Sequence, residues 1–186
     1  MKPHLTATSF EALARERVAE FAPETDLDIL GVTFDLVRVS NQLISDLETI
    51  VHRRLGWSWA GFRIMFTVLV AGPLEPGQIA RLAGVTRASI SAVLNTLERD
   101  GFVTRLRESR DRRVVTIVLT DTGRAAVIEG YRRQHEVERA WMEALTENQR
   151  TRLNQTLRRL LEKRAAFHVD ESEGDKDAID RSSRDS

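Results

Sequence analysis

The spacing of apolar residues along the chain predicts a nearly all-helical protein with one β-hairpin. Residues 9–20, "SFEALARERVAE", read as a short helix with Ser9 as its cap, and "FAPETD" breaks it. From Asp28 the apolar positions recur at helical spacing. Leu30, Phe34, Val37, Leu43, Ile44, Leu47, Ile50 and Val51 fall near one stripe, which predicts a long helix ended by Gly56. Ser58 then caps "WAGFRIMFTVLVAG", apolar around most of its circumference and therefore a buried helix, stopped by Gly72 and Pro73. Two shorter helices follow. "PGQIARLAG" ends at Gly84, and "TRASISAVLNTLERDG" opens on Thr86 and closes at Gly101.

The connection between those two helices is only about three residues, "GVT", the length found in a helix-turn-helix. After it the period changes from helical to alternating. "FVTRLRE" and "VVTIVLT" read as two strands around an arginine-rich loop. A long helix is predicted from Asp121 to about Leu145. "TENQ" is a capping box, Thr146 with Gln149, and starts a last helix reaching about Phe167 with Leu153, Leu157, Leu160 and Leu161 on one side. The predicted fold is mainly α with a small β-hairpin wing.

Charge adds what periodicity does not show. The net charge is zero, but residues 169–186 carry seven acids against three bases, so the rest of the chain is positive. Residues 72–120 hold eight arginines and five acids. This asymmetry predicts a basic working surface and a polar, acidic, disordered tail. No apolar run reaches the eighteen or so residues that span a bilayer, and the N-terminus lacks the apolar core of a signal peptide. Both predict a cytoplasmic location and no membrane partner. With no cysteine, disulfide scaffolds, thiolate zinc sites and cysteine redox sensing are excluded.

In a helix-turn-helix the first turns of the second helix enter the major groove. Ile90, Val93, Leu94 and Leu97 would face the core. Thr86, Arg87, Ser89, Ser91 and Asn95 would then be available to DNA, Arg87 for guanine or phosphate and the others as short hydrogen-bonding groups. Arg110, Arg112 and Arg113 crowd the hairpin tip, where the protein itself has little counter-charge to offer. A guanidinium there suits the negative potential of the minor groove, and Asp111 would orient it.

"NTLERDGFVTR" and "DRRVVTIVLTDTG", with the Asp-x-Arg of Asp111 and Arg113, resemble the multiple antibiotic resistance regulator (MarR) family. The resemblance covers residues 58–125 closely and, through the order of the flanking helices, most of 28–165. It implies a winged helix-turn-helix lobe flanked by N- and C-terminal dimerisation helices, and an obligate homodimer reading a pseudo-palindrome in double-stranded DNA. It implies that Arg113 reaches the minor groove with Asp111 steering it. It also implies a small-molecule site beside the dimerisation helices, for which "HRRLGWSWAGFR" offers His52, Arg53, Trp57, Trp59, Phe62 and Arg63, suited to a planar organic acid. The chain departs from the family in an extra N-terminal segment. That segment lacks the tryptophan carried by a urate-binding subgroup.

The expected organisation is an N-terminal extension over 1–25, a dimerisation region over 26–57 and 121–167, a DNA-binding lobe over 58–120 and a tail over 168–186. Leu13, Phe21, Trp141, Leu153, Leu157, Leu160 and Phe167 exceed what one small lobe covers and call for a partner copy. The expected function is a ligand-responsive repressor; the alternative is a winged-helix module that binds another protein. Four scattered histidines (His4, His52, His135, His168) have no metal spacing, and no phosphate loop, nucleophile elbow or cofactor motif is present, so no catalytic activity is expected.

Overall fold

The structure is a computed structural model in which residues 6–107 and 115–163 are described. The hairpin tip with Arg110, Asp111, Arg112 and Arg113, as well as Phe167 and the tail, lie outside the described residues. The chain divides into two compact units, Met1–Val137 and Glu138–Ser186.

In the first unit, α1 (Ala7–Phe21) starts at Thr6 rather than Ser9. Thr6 Oγ1 accepts from the Ser9 amide at 3.2 Å while Ser9 Oγ accepts from the Thr6 amide at 2.8 Å. This reciprocal box satisfies two end groups where a lone serine cap satisfies one. Helix α2 (Leu27–Asp46) is capped by Asp26, whose carboxylate takes the Asp28 and Ile29 amides. Phe10 of α1 meets Phe34 of α2, and Glu11 pairs with Arg38 at 3.4 Å.

The single helix expected up to Gly56 changes its winding. Leu47–His52 form a π-helical turn and Arg53–Leu55 a 3₁₀ turn, before Gly56 stops the run at φ +90°. The wider turn brings Leu47, Val51 and His52 inward together.

Helix α3 (Trp59–Ala71), capped by Ser58, is the axis of the core. Its Phe62, Ile64, Met65 and Val68 are buried against Ile79 of α4 (Pro76–Ala83) and Ile90, Leu94 and Leu97 of α5 (Arg87–Arg99). Each such side chain contributes roughly 1.5–3 kcal/mol by leaving water. Gly84, left-handed at φ 60°, and Thr86, the cap of α5, form the turn between α4 and α5 as predicted. Strands β1 (Val103–Arg107) and β2 (Val115–Leu119) pair antiparallel from Val103↔Leu119 to Arg107↔Val115. Leu74 adds a bridge to Ile117 and pins the α3–α4 connection to the hairpin.

Helix α6 (Asp121–Met142) is locked to the hairpin root by Thr120. Its hydroxyl donates to the Gly101 carbonyl at 2.7 Å and accepts the Gly123 amide at 2.9 Å. In the second unit, the Thr146–Gln149 capping box is present and opens α7 (147–163).

A single chain leaves much apolar helix uncovered. Phe21 is 74% exposed, Val32 64% and Leu161 65%; Leu13, Ile29, Val37, Val39, Leu153 and Leu160 are exposed too, while Trp141 and Leu157 are half-buried.

Gly123 tests the packing. A Cβ there would lie 1.8 Å from the Phe102 carbonyl oxygen, which is backbone and cannot swing aside. Gly123→Ala is expected to cost about 3 kcal/mol or more in urea unfolding. Gly77→Ala, on α4 with open space around it, should instead stabilise by about 0.5–1 kcal/mol.

Candidate nucleic-acid interface and an adjoining cavity

Helix α5 is pinned by its apolar ridge, so its opposite face is fixed toward solvent. Arg87, Ser91 and Asn95, spaced four apart, share that exposed face. Thr86 and Ser89 are exposed but engaged with each other. Thr86 Oγ1 accepts the Ser89 amide at 3.2 Å, and the two hydroxyl oxygens lie 2.7 Å apart. The amides of a helix's first turn, here Arg87 and Ala88, have no acceptor within the helix. At the far end Arg99 bonds Asp100 through two nitrogens, at 2.8 and 3.2 Å. That bond holds the Asp100 carboxyl below its usual range and the Arg99 guanidinium above its own. Asn95 is also held: its Oδ1 accepts from Arg105 of β1 at 2.7 Å.

Five of the six residues expected to bind a small molecule divide between two places. Trp59, Phe62 and Arg63 line a cavity of about 290 Å³ with Phe66, Thr67, Leu82, Tyr131 and Gln134. Its wall is an aromatic stack, Trp59–Phe62–Phe66–Tyr131, with centroids 5.4–5.8 Å apart. The Arg63 guanidinium lies 5.9 Å from the Trp59 ring centre and also reaches Gly84, where a Cβ would come within 2.3 Å of it. Arg53 and Trp57 instead line a second cavity, of about 400 Å³, with Val93, Thr96 and Leu97 of α5. Arg53 is bound there to Glu48 at 3.2 Å. A further cavity, of about 720 Å³, is an open apolar groove between α1 and α2.

His52 lies in neither cavity. It is 0% exposed, stacked on Phe62 at 4.5 Å. Trp57 Nε1 donates to its Nδ1 at 3.2 Å, and its Nε2 lies 3.1 Å from Gln134 Oε1. An indole N–H only donates, so Nδ1 carries no proton, and Nε2–H donates to the Gln134 oxygen. Among the described residues every buried polar side-chain atom has a partner.

Phe66 follows Trp59 and Phe62 at helical spacing and was legible in the sequence. Tyr131 and Gln134 lie some seventy residues on, and nothing local joins them to this wall. Among the described residues no cluster of His, Asp and Glu suits a metal.

A short turn, a capped second helix and a hairpin that closes on it define a winged helix-turn-helix protein. The MarR family model matches residues 57–115, from Trp57 to the first residue of β2. Over 135 residues the chain is 32% identical to the HTH-type transcriptional regulator YwaE of Bacillus subtilis, covering 73% of this chain and 79% of that protein. It is also 32% identical over 109 residues to the HTH-type transcriptional repressor YetL of the same organism, covering 58% and 65% of the two. A solved structure of NadR in complex with 4-hydroxyphenylacetate superposes with a TM-score of 0.57 at 26% identity, over 69% of this chain and 91% of that one. The chain belongs to the MarR family, and it is a transcriptional regulator of the helix-turn-helix type rather than an enzyme.

The buried hydrogen-bond chain predicts two measurements. Long-range proton–nitrogen NMR should show His52 as the Nε2–H tautomer. Trp57→Phe, which keeps the ring and removes the donor, should cost about 1–3 kcal/mol in urea unfolding by stranding Nδ1.

Proposed function

We propose that the protein is a repressor that binds a pseudo-palindromic operator as a homodimer and releases it when a small aromatic acid enters the 290 Å³ cavity. The observation that carries this reading is the fixed roll of α5. Its ridge of Ile90, Leu94 and Leu97 is buried, and Arg87, Ser91 and Asn95 face out as a groove-reading stripe. Arg110, Arg112 and Arg113 fall in the sequence between β1 and β2, outside the described residues, and are assigned in this reading to the minor groove, with Asp111 directing Arg113. Repression is supported by the likeness to YetL, whose name states that role.

The uncovered apolar faces of α1, α2 and α7 support the homodimer, with 26–57 and 121–167 as its helices and 58–120 as the lobe. No helix among the described residues is long and apolar enough to cross a membrane, in keeping with a cytoplasmic regulator. The cavity's aromatic wall and Arg63 suit a ring bearing a carboxylate, the class of ligand in the NadR complex. A dry cavity of about 150 Å³ already holds benzene, so there is room for a substituted ring. Release requires that the effector bind better to an arrangement of the lobes that does not fit DNA.

The test is fluorescence anisotropy on duplex from the gene's own upstream region, across a salt series, with scrambled duplex as control. Wild type should bind selectively and with a steep salt dependence, and Arg113→Ala should bind roughly tenfold or more weakly. Equal affinity for scrambled duplex throughout would favour a protein-binding module instead. Aromatic carboxylates should release wild type, while Arg63→Met should keep its DNA affinity and lose that response.

A further inference from the structure

Arg105 stands on β1, a few residues before the arginines at 110, 112 and 113, yet its guanidinium faces α5. Nη2 donates to Asn95 Oδ1 at 2.7 Å, and Nη1 is ion-paired with Glu98. Asn95 and Glu98 are three residues apart on α5, so their side chains are neighbours on one face, and a planar fork can hold both. The Arg105 and Glu98 side chains are 32% and 35% exposed, and Asn95 is exposed. Glu98 neutralises the charge of Arg105, which therefore offers a phosphate little. A guanidinium has donors only, so the atom of Asn95 that faces it is the carbonyl oxygen.

We propose that Arg105 is a positioning residue that makes Asn95 a donor-only reader, so that Asn95 selects guanine over adenine at one position in each half-site. The proposal rests on α5 being the recognition helix. Asparagine pairs with adenine by using both ends of its amide: the oxygen accepts from N6–H and the nitrogen donates to N7. Here the oxygen already takes a charge-assisted bond, with the cation beside it. The oxygen keeps a second lone pair, but a second donor brought to it, the adenine amino group, would have to share it with the guanidinium N–H already bound there. The same bond draws electron density from the carbonyl and strengthens the Nδ2–H donors. Guanine presents O6 and N7, two adjacent acceptors and no amino group on that edge. Its edge fits what Asn95 has left to give.

The experiment starts from half-sites selected out of random duplex by the full-length protein. Anisotropy is then measured on base-substituted duplexes for wild type, Asn95→Ala and Arg105→Ala, with thermal melts confirming that each variant is folded. Wild type should require guanine at one position per half-site and lose about tenfold on 7-deazaguanine there. Asn95→Ala should be indifferent to that substitution. Arg105→Ala, with Oδ1 released, should move the preference at the same position toward adenine. A wild-type preference for adenine that falls when the 6-amino group is removed would overturn the proposal. So would an Asn95→Ala protein that selects the same operator with every base preference intact, which would leave α5 as the reader and Asn95 as a brace. Failure to select any sequence would overturn the reading of α5 itself, and this inference with it.

Discussion

A helix can roll about its own axis, and one that rolls presents no fixed face. The burial of Ile90, Leu94 and Leu97 is the constraint that stops α5 from rolling. A slip of one residue would turn every side chain by about 100° and exchange the apolar ridge for the polar stripe. The neighbouring devices serve the same fixed roll. Gly84 and Thr86 set where the helix begins, and the Leu74–Ile117 bridge holds the hairpin against the lobe. Arg105 joins the first strand to the helix at Asn95 and Glu98. The exposed face of α5 is thus built from the core outward.

A second kind of order comes from polar groups. Trp57, from the connection before α3, His52, from the π turn, and Gln134, from α6, meet in a chain of two hydrogen bonds beside the aromatic wall. An apolar core tolerates small shifts of its parts, whereas this chain fixes which nitrogen bears the proton and which amide atom faces it. The π turn is what delivers His52 to that place, since it lets Val51 and His52 both face inward.

The local signals in the sequence were largely sufficient for the lobe. Gly72, Gly84, Ser58 and Thr86 are where helices stop and start, because caps and left-handed turns are governed by the residues that form them. The change of period after Gly101 marked the hairpin for the same reason. What stayed hidden depends on residues far apart. The winding change at Leu47 leaves the apolar pattern nearly unaltered. The α1 box turned on Ser9 acting from inside the helix rather than capping it. Grouping His52, Arg53 and Trp57 with Trp59, Phe62 and Arg63 followed chain proximity, but the fold gives Arg53 and Trp57 to the second cavity and buries His52 against Phe62. Asn95 read as a free amide because its partner sits ten residues on, on the first strand of the hairpin.

Gly84 has a further bearing. Its left-handed backbone strains any residue that carries a side chain, whereas the Arg63 guanidinium beside it is a flexible tip that can swing aside. The helix-turn-helix corner is therefore held by its own backbone and not by the cavity wall next to it. A lineage could reshape residue 63 while residue 84 stayed glycine. The cavity of such a protein would be free to diversify while the turn beneath it stayed constant.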